Sequence, residues 1–292
     1  MTETAQGFDI AFVDRLGVRK RCNRAIHAGF AQQVQNGAVR LQESMPHLCE
    51  LALGGTAVGT GINCPPAFAK KTIARVAEMT GIHFVEAPNH FEAQAARDAA
   101  VELSGALKTV AVSLWHVANN IRFLSCGPRC GIGEIQLSAT QPGSSIMPGK
   151  VNPVIPEVVN MVCFRVIGSD LTVTMAAEGG QLQLNVFEPV IAACIFEAQT
   201  LFINAARTLR VHCVEGITAN EDIVRHYVEY SIGTVTALNP VIGYERATEL
   251  AAEAMKSGRG IMELIREKKI LTDEQIAKVL DPQAMTGQGR PR

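Results

Sequence analysis

The chain has 292 residues, 47% of them hydrophobic, which is enough to bury a large core in one large or two ordinary domains. Its 27 lysines and arginines balance 28 acidic residues for a net charge of −1, and no five-residue run carries one sign. Without a basic face, nucleic acid and anionic lipid are excluded as partners, and a small molecule is the expected one.

The eight cysteines form no C-x-x-C, and Cys163 and Cys194 lie in apolar helical stretches, so they read as buried thiols in a reducing compartment. No apolar segment approaches the roughly 18 to 20 residues of a spanning helix. The N-terminus also lacks the apolar core of a signal peptide. A cytoplasmic protein without a membrane span is expected.

In chain order, residues 1–28 form a separate N-terminal segment, and residues 30–51 predict a helix. The glycine-rich 54-GGTAVGTG-61 and a shorter helix over 66–80 come next. G-x-G-x-x-G is absent and a helix, not a strand, precedes the glycines, so close backbone packing at a helix junction is preferred to a dinucleotide loop. Over 91–124, Leu103, Leu107, Val110, Leu114, Val117, Ile121 and Leu124 step by 4, 3, 4, 3, 4 and 3, the seam of a long bundle helix. Gly127 and Pro128 supply its stop.

A second long helix is predicted over 153–178. It is apolar nearly all round, with only Glu157, Arg165, Asp170 and Glu178 charged, and so belongs in the middle of a bundle. The third follows Gly179 and Gly180, where Ile191, Ile195, Ala198, Phe202, Ala205 and Leu209 step by 4, 3, 4, 3 and 4. These features predict an all-α fold: a long antiparallel helical bundle over 29–216, then a small C-terminal helical domain over 217–292. There Asn220 is a candidate N-cap, and Thr272 with Gln275 a capping box.

The chemistry concentrates in 143-GSSIMPGKVNP-153. A phosphate-binding P-loop has four residues between its glycines and a hydroxyl after its lysine. Here five residues separate Gly143 from Gly149, Val151 follows Lys150, and no strand precedes. A plain linker would leave Lys150 and Asn152 without a role. Asn152 can cap the following helix and Pro153 suits its first turn, so unpaired N–H groups and Lys150 together favour an anion. A serine hydroxyl in such a loop is a candidate base or nucleophile.

Cys126 and Cys130 read as part of a helix stop and turn rather than a metal or redox site, because no Cys or His pair completes a ligand set. None of the seven histidines shows ligand spacing, and His116 reads as a satisfied helix histidine. Gln181-Leu182-Gln183-Leu184-Asn185 either lines a polar pocket or ends the glycine turn. No metal and no cofactor are expected.

GSSIMPGKVNP resembles the signature of the fumarase/aspartase superfamily. PHLCELALGGTAVGTGIN (46–63), SGALKTVAV (104–112), FLSCGPRCGIGEI (123–135) and TALNPVIGYERA (236–247) are similar to family segments too, so the resemblance runs from about Gly29 to Gly287. It implies elimination from a dicarboxylate to give fumarate, with Ser144 as base, Ser145 as a donor to the developing anion, and Lys150 and Asn152 holding a carboxylate. Glu157 matches an acid that supports the site by pairing with a histidine. The resemblance also implies a homotetramer whose active sites are each built from three chains.

Within the family, VNPVIPE, VVNMVCFRVIG and QLQLNVFEPVI resemble the aspartase branch, which removes ammonia from aspartate. SMPHLCELALGG, EAPNHFEA and GPRCGIGEI resemble the fumarase branch, which removes water from malate. The residues beside the reactive loop favour aspartase. The family's S-S-N-D and G-R-T segments do not occur here, so a truncated chain of impaired activity is expected, with Glu157 lacking its partner. A remnant acting only in assembly is the competing expectation.

Overall fold

In chain order the elements are α1 (Arg21–Glu43), α2 (Met45–Leu48), β1 (Glu50–Leu51), α3 (Phe68–Thr80), β2 (Val85–Glu86), α4 (His90–Ala95) and α5 (Asp98–Leu124). Then follow β3 (Ile135–Gln136), α6 (Val154–Glu178), α7 (Glu188–His212), β4 (Thr218–Ala219) and α8 (Glu221–Tyr230). The last are α9 (Asn239–Ile242), α10 (Tyr244–Ser257), α11 (Ile261–Glu267) and α12 (Asp273–Val279), with 3-10 turns at Val214–Gly216 and Ile232–Leu238. This is a computed structural model, and it describes residues 21–127 and 129–279. Expectations for residues 1–20, Pro128 and 280–292 lie outside the described residues.

The fold is all-α, and the four strands among the described residues are two-residue pairings: β1 runs parallel to β2, and β3 antiparallel to β4. The heptad steps become the core. Leu103, Leu107, Leu114, Val117 and Ile121 of α5 are buried against Val159, Cys163, Val166 and Val173 of α6 and Ile191, Ile195, Phe202 and Leu209 of α7. Each fully buried aliphatic side chain contributes about 1.5–3 kcal/mol. Cross-helix contacts fix the directions. Phe30 and Gly37 of α1 meet His116 and Val110 of α5 in reverse order. Ser104 of α5 meets Asp170 of α6, while Trp115 meets Phe164. The helices are therefore antiparallel neighbours.

A second cluster, with Leu238, Leu250, Ile261, Leu264, Ile265 and Ile276 buried, organises the C-terminal helices. There Thr272 N–H donates to Gln275 Oε1 at 3.0 Å and Gln275 N–H to Thr272 Oγ1 at 3.3 Å, the reciprocal capping box. The GGTAVGTG segment packs tightly, as expected. A Cβ at Gly59 would sit 2.7 Å from the Phe91 nitrogen, and Gly59 has φ +91°.

Several expectations change. The helix expected over 30–51 runs to Glu43, followed by α2 and β1. The helix expected over 91–124 breaks at Ala96, whose ψ of 152° is extended. There Arg97 donates to the Ala93 and Gln94 carbonyls and pairs with Glu188, satisfying the helix end from its own side chain. Asn220 occupies the N-cap of α8 without a side-chain cap bond, because its amide donates to Gly133 O at 2.6 Å instead. Of the described cysteines, Cys126 and Cys130 are exposed rather than buried.

The expected absence of span-length apolar helices is also overturned. By length and composition Val154–Glu178 and Glu188–Gly216 could each cross a membrane. Both pack into the bundle, where an all-round apolar surface serves helix contacts.

Candidate active site

The segment that joins α5 to α6 leaves the bundle core. At its start Gly133 N–H donates to Cys126 O at 2.7 Å, turning the chain into β3, which pairs with β4. The signature residues then form a closed loop. Gly143 N–H donates to Lys150 O at 2.9 Å, and the Asn152 amide donates to Gly143 O at 2.9 Å. A Cβ at Gly143 would lie 2.4 Å from Lys150 O, so glycine is what allows this closure. Gly149, at φ +77°, makes the turn back.

Inside the loop, Ser144 Oγ accepts N–H donors from Ile146 at 3.1 Å and Met147 at 3.0 Å. Two convergent backbone donors stabilise negative charge on that oxygen. Ser144 and Lys150 line an open hollow of about 370 Å³ together with Thr140, Gln141, Gly143 and Gly149. Among the described residues no acidic side chain pairs with Lys150, so its ammonium leaves the hollow positive. Ile146 and Met147 stand exposed at the loop tip, 86% and 52% accessible.

Of the candidate residues, the hollow thus gathers Ser144 and Lys150. Ser145 is exposed and does not line it. Asn152 serves as the loop's clasp. It does not cap α6: Pro153 stands at the N-cap, outside the first turn, and no side chain caps the helix. An amide nitrogen carries two N–H groups, so the clasp commits only one of them.

Glu157, in the first turn of α6, also lies outside the hollow. It does have a partner: Arg122 Nη2 of α5 lies 3.8 Å from Glu157 Oε1. Sequence reasoning missed Arg122 because it sits beside the apolar seam, where nothing in the spacing marks it.

Asn160, 3% exposed, completes this corner. One amide orientation gives bonds of 3.4 Å with Arg122 Nη1 and Trp115 O. The reverse orientation donates to Pro156 O at 2.9 Å and accepts the Trp115 indole N–H at 2.8 Å. The reverse is better satisfied, and it leaves Glu157 as the acceptor facing Arg122.

Other groups are unsuited to the chemistry. Burial pushes the Cys163 and Cys213 thiols up to about 12, so neither is a nucleophile near neutral pH. Among the described residues, no group of three or more His, Cys, Asp or Glu side chains could hold a metal ion. His116 packs edge-on against Phe30 and meets Gln33 Oε1 at 3.2 Å, a satisfied helix histidine.

The Ser144 hydroxyl and Lys150 thus sit on a glycine-closed, anion-favouring loop joined to a long-helix bundle. Residues 26–168 match the family described as Lyase, and residues 235–287 match the Fumarase C C-terminus. An aspartate ammonia-lyase of Helicobacter pylori is 54% identical over 256 residues, 88% of this chain and 55% of that protein. A class II fumarate hydratase of Neisseria meningitidis is 46% identical, covering 88% of this chain and 56% of that protein. The crystal structure of a fumarate lyase:delta crystallin from Brucella melitensis superposes with a TM-score of 0.88 at 42% identity, over 97% of this chain and 65% of that one. The chain belongs to the fumarase/aspartase superfamily, and it spans little more than half the length of the curated relatives it matches.

Proposed function

We propose that the chain is the loop-bearing part of an aspartate ammonia-lyase that converts L-aspartate to fumarate and ammonia. The observation that carries this reading is the Ser144 hydroxyl held between two backbone N–H groups in a hollow that Lys150 also lines, with no acidic side chain among the described residues paired to that lysine. Aspartate ammonia-lyase relatives at 54% and 49% identity support the choice of substrate.

In this reading, Ser144 as the alkoxide takes a proton from the carbon next to one carboxylate. That carboxylate becomes a doubly charged aci-form. Lys150, with the free N–H of Asn152, holds the negative charge, and Ser145 donates to it once the loop closes. The C–N bond on the neighbouring carbon then breaks, the electron pair of the C–H bond forms the alkene, and ammonia leaves. Glu157, paired with Arg122, supports the site from the start of α6.

The described hollow presents the Ser144 and Thr140 hydroxyls and the Gln141 amide but a single cation, Lys150, fewer charged groups than the two carboxylates of the substrate need for orientation. We therefore assign the remaining donors to other chains of a homotetramer. Exposed apolar residues on the bundle surface, including Met161, Phe164, Leu171 and Met175 of α6 and Phe196 of α7, favour such association. A cytoplasmic protein with no membrane or nucleic-acid partner fits the balanced charge.

The test is to incubate purified chain with fumarate plus ammonium, and with fumarate in water alone, and to identify the product. Aspartate formed slowly with ammonium and abolished in Ser144→Ala is expected. Malate without aspartate would establish the fumarase alternative, which the Neisseria relative at 46% identity favours. Neither product, with intact assembly, would establish the assembly-only reading.

A further inference from the structure

The connection between α11 and α12 forms an open hollow of about 480 Å³ that shares no residue with the hollow at Ser144. Arg266, Lys269, Asp273 and Gln275 line it, with Ile270 and Leu271 as its apolar wall. Arg266 Nε donates to Asp273 Oδ1 at 3.0 Å, which engages one edge of the guanidinium and leaves its terminal nitrogens without an acidic partner among the described residues. Gln275 Oε1 accepts Thr272 N–H at 3.0 Å, so the amide NH2 stays free to donate. The neighbouring Lys268 pairs with Glu253, whereas no acidic side chain among the described residues pairs with Lys269. Two cations against one carboxylate leave the hollow positive.

The backbone adds an independent observation. At the end of α11, Lys269 N–H donates to Arg266 O and Ile270 N–H to Ile265 O, both at 3.1 Å, the paired bonds of a Schellman motif. That motif sets Lys269 at φ +52°, in the left-handed region. The helices α3 and α10 also end on left-handed residues, and both use glycine: Gly81 and Gly258, each at φ +70°. Glycine takes this conformation without a Cβ penalty, so the lysine is held there against the preference of its backbone. Strain kept at a residue that lines a cavity points to a use for its side chain.

We propose that this hollow is a binding site for a small tetrahedral oxyanion of the phosphate class. The Arg266 fork, the Lys269 ammonium and the Gln275 amide offer donors from three side chains, which suits the several oxygens of a phosphate better than the two of a carboxylate. Asp273 holds Arg266 by its Nε edge and keeps the terminal nitrogens for the anion. This inference is independent of the lyase reading, because it uses neither the signature loop nor the substrate.

The test is calorimetric titration of the intact chain with inorganic phosphate at fixed ionic strength, beside thermal melts in phosphate-free buffer. Saturable binding is expected. Lys269→Gly should weaken it about tenfold, the effect of losing one charge-assisted hydrogen bond. The same variant should melt at a higher temperature without phosphate, because glycine relieves the left-handed strain. Lys150→Met should keep the binding, which separates this hollow from the anion-favouring loop of Ser144. Absence of saturable binding, equal affinity in Lys269→Gly, or loss of all binding in Lys150→Met would each overturn the proposal. Saturation by fumarate with none by phosphate would overturn it in favour of a carboxylate site. A lower melting temperature for Lys269→Gly would also overturn it, by showing that the lysine serves the helix end.

Discussion

The two connections that bracket α6 solve the same problem in opposite ways. Residues 179–187 join α6 to α7 around Asn185, which is 1% exposed. Its amide donates to the Ala176 and Ala177 carbonyls at 3.0 Å, its Oδ1 accepts Phe187 N–H at 2.8 Å, and its own N–H reaches Gln94 O. One buried residue thus ends one helix and starts the next with its side chain, and ties both to α4 with its backbone N–H. Residues 125–153 join α5 to α6 through an exposed loop, held by the contacts of Gly143 with Lys150 and Asn152. The first connection serves stability and the second is kept accessible, the division expected when a rigid scaffold presents a working loop.

That contrast is broken most directly at Asn185. Asn185→Ala removes three hydrogen bonds at the junction, two to the Ala176 and Ala177 carbonyls and one from the part-buried Phe187 N–H, and should cost about 2–4 kcal/mol in urea unfolding. A loss below about 0.5 kcal/mol would mean that the short connection is not sealed by this residue. Asn152→Ala is the matched change in the long connection. It removes one half-exposed bond and should cost about 0.5–1.5 kcal/mol. It should also speed native tryptic cleavage after Lys150 about tenfold, since opening the loop then breaks one contact fewer. An unchanged cleavage rate would show that the backbone bond between Gly143 and Lys150 closes the loop alone.

The same contrast explains what the sequence revealed. The seams of α5 and α7 were legible because burial repeats every three or four residues, and every residue named in the α7 seam is buried. The break at Ala96 was not, because Arg97 terminates α4 with its own long side chain and leaves no glycine or proline signal. Ser144 and Lys150 were legible as a loop of unusual residue types, whereas the clasp made by Asn152 depends on Gly143, nine residues away. Arg122 escaped notice for a related reason: the contact it makes with Glu157 crosses between helices. Asn185 was left between two readings, since polar residues after a glycine pair suit a pocket and a turn equally. Its burial is decided by α4, far away in the chain.

A third contact tests whether exposure itself, rather than membership of a connection, sets the energetic scale. His47 Nδ1 meets Glu102 Oε2 at 2.6 Å between α2 and α5, with both side chains well exposed. The hydrogen bond to Glu102, then its charge, raises the His47 pKa above its ordinary 6.5. A raised folded-state pKa contributes stability that is fully present below the unfolded value and is lost as pH rises through the folded value. The native chain should therefore lose a small increment of stability on going from mildly acidic to mildly alkaline pH. Glu102→Gln should flatten that slope in thermal melts, and an identical slope in both proteins would remove this pair from the account.

The smallest expected effect is at Ser144. Its hydroxyl oxygen accepts two N–H groups, yet Ile146 and Met147 stand exposed, so water replaces the lost acceptor when Ser144 becomes Ala. Unfolding free energy should change by less than about 0.5 kcal/mol while any fumarate chemistry disappears. The two readouts separate because the donors around Ser144 matter when its oxygen is charged, a state that folding never populates but proton abstraction requires. A stability loss comparable to that of Asn185→Ala would instead make Ser144 a structural clasp and place the base elsewhere.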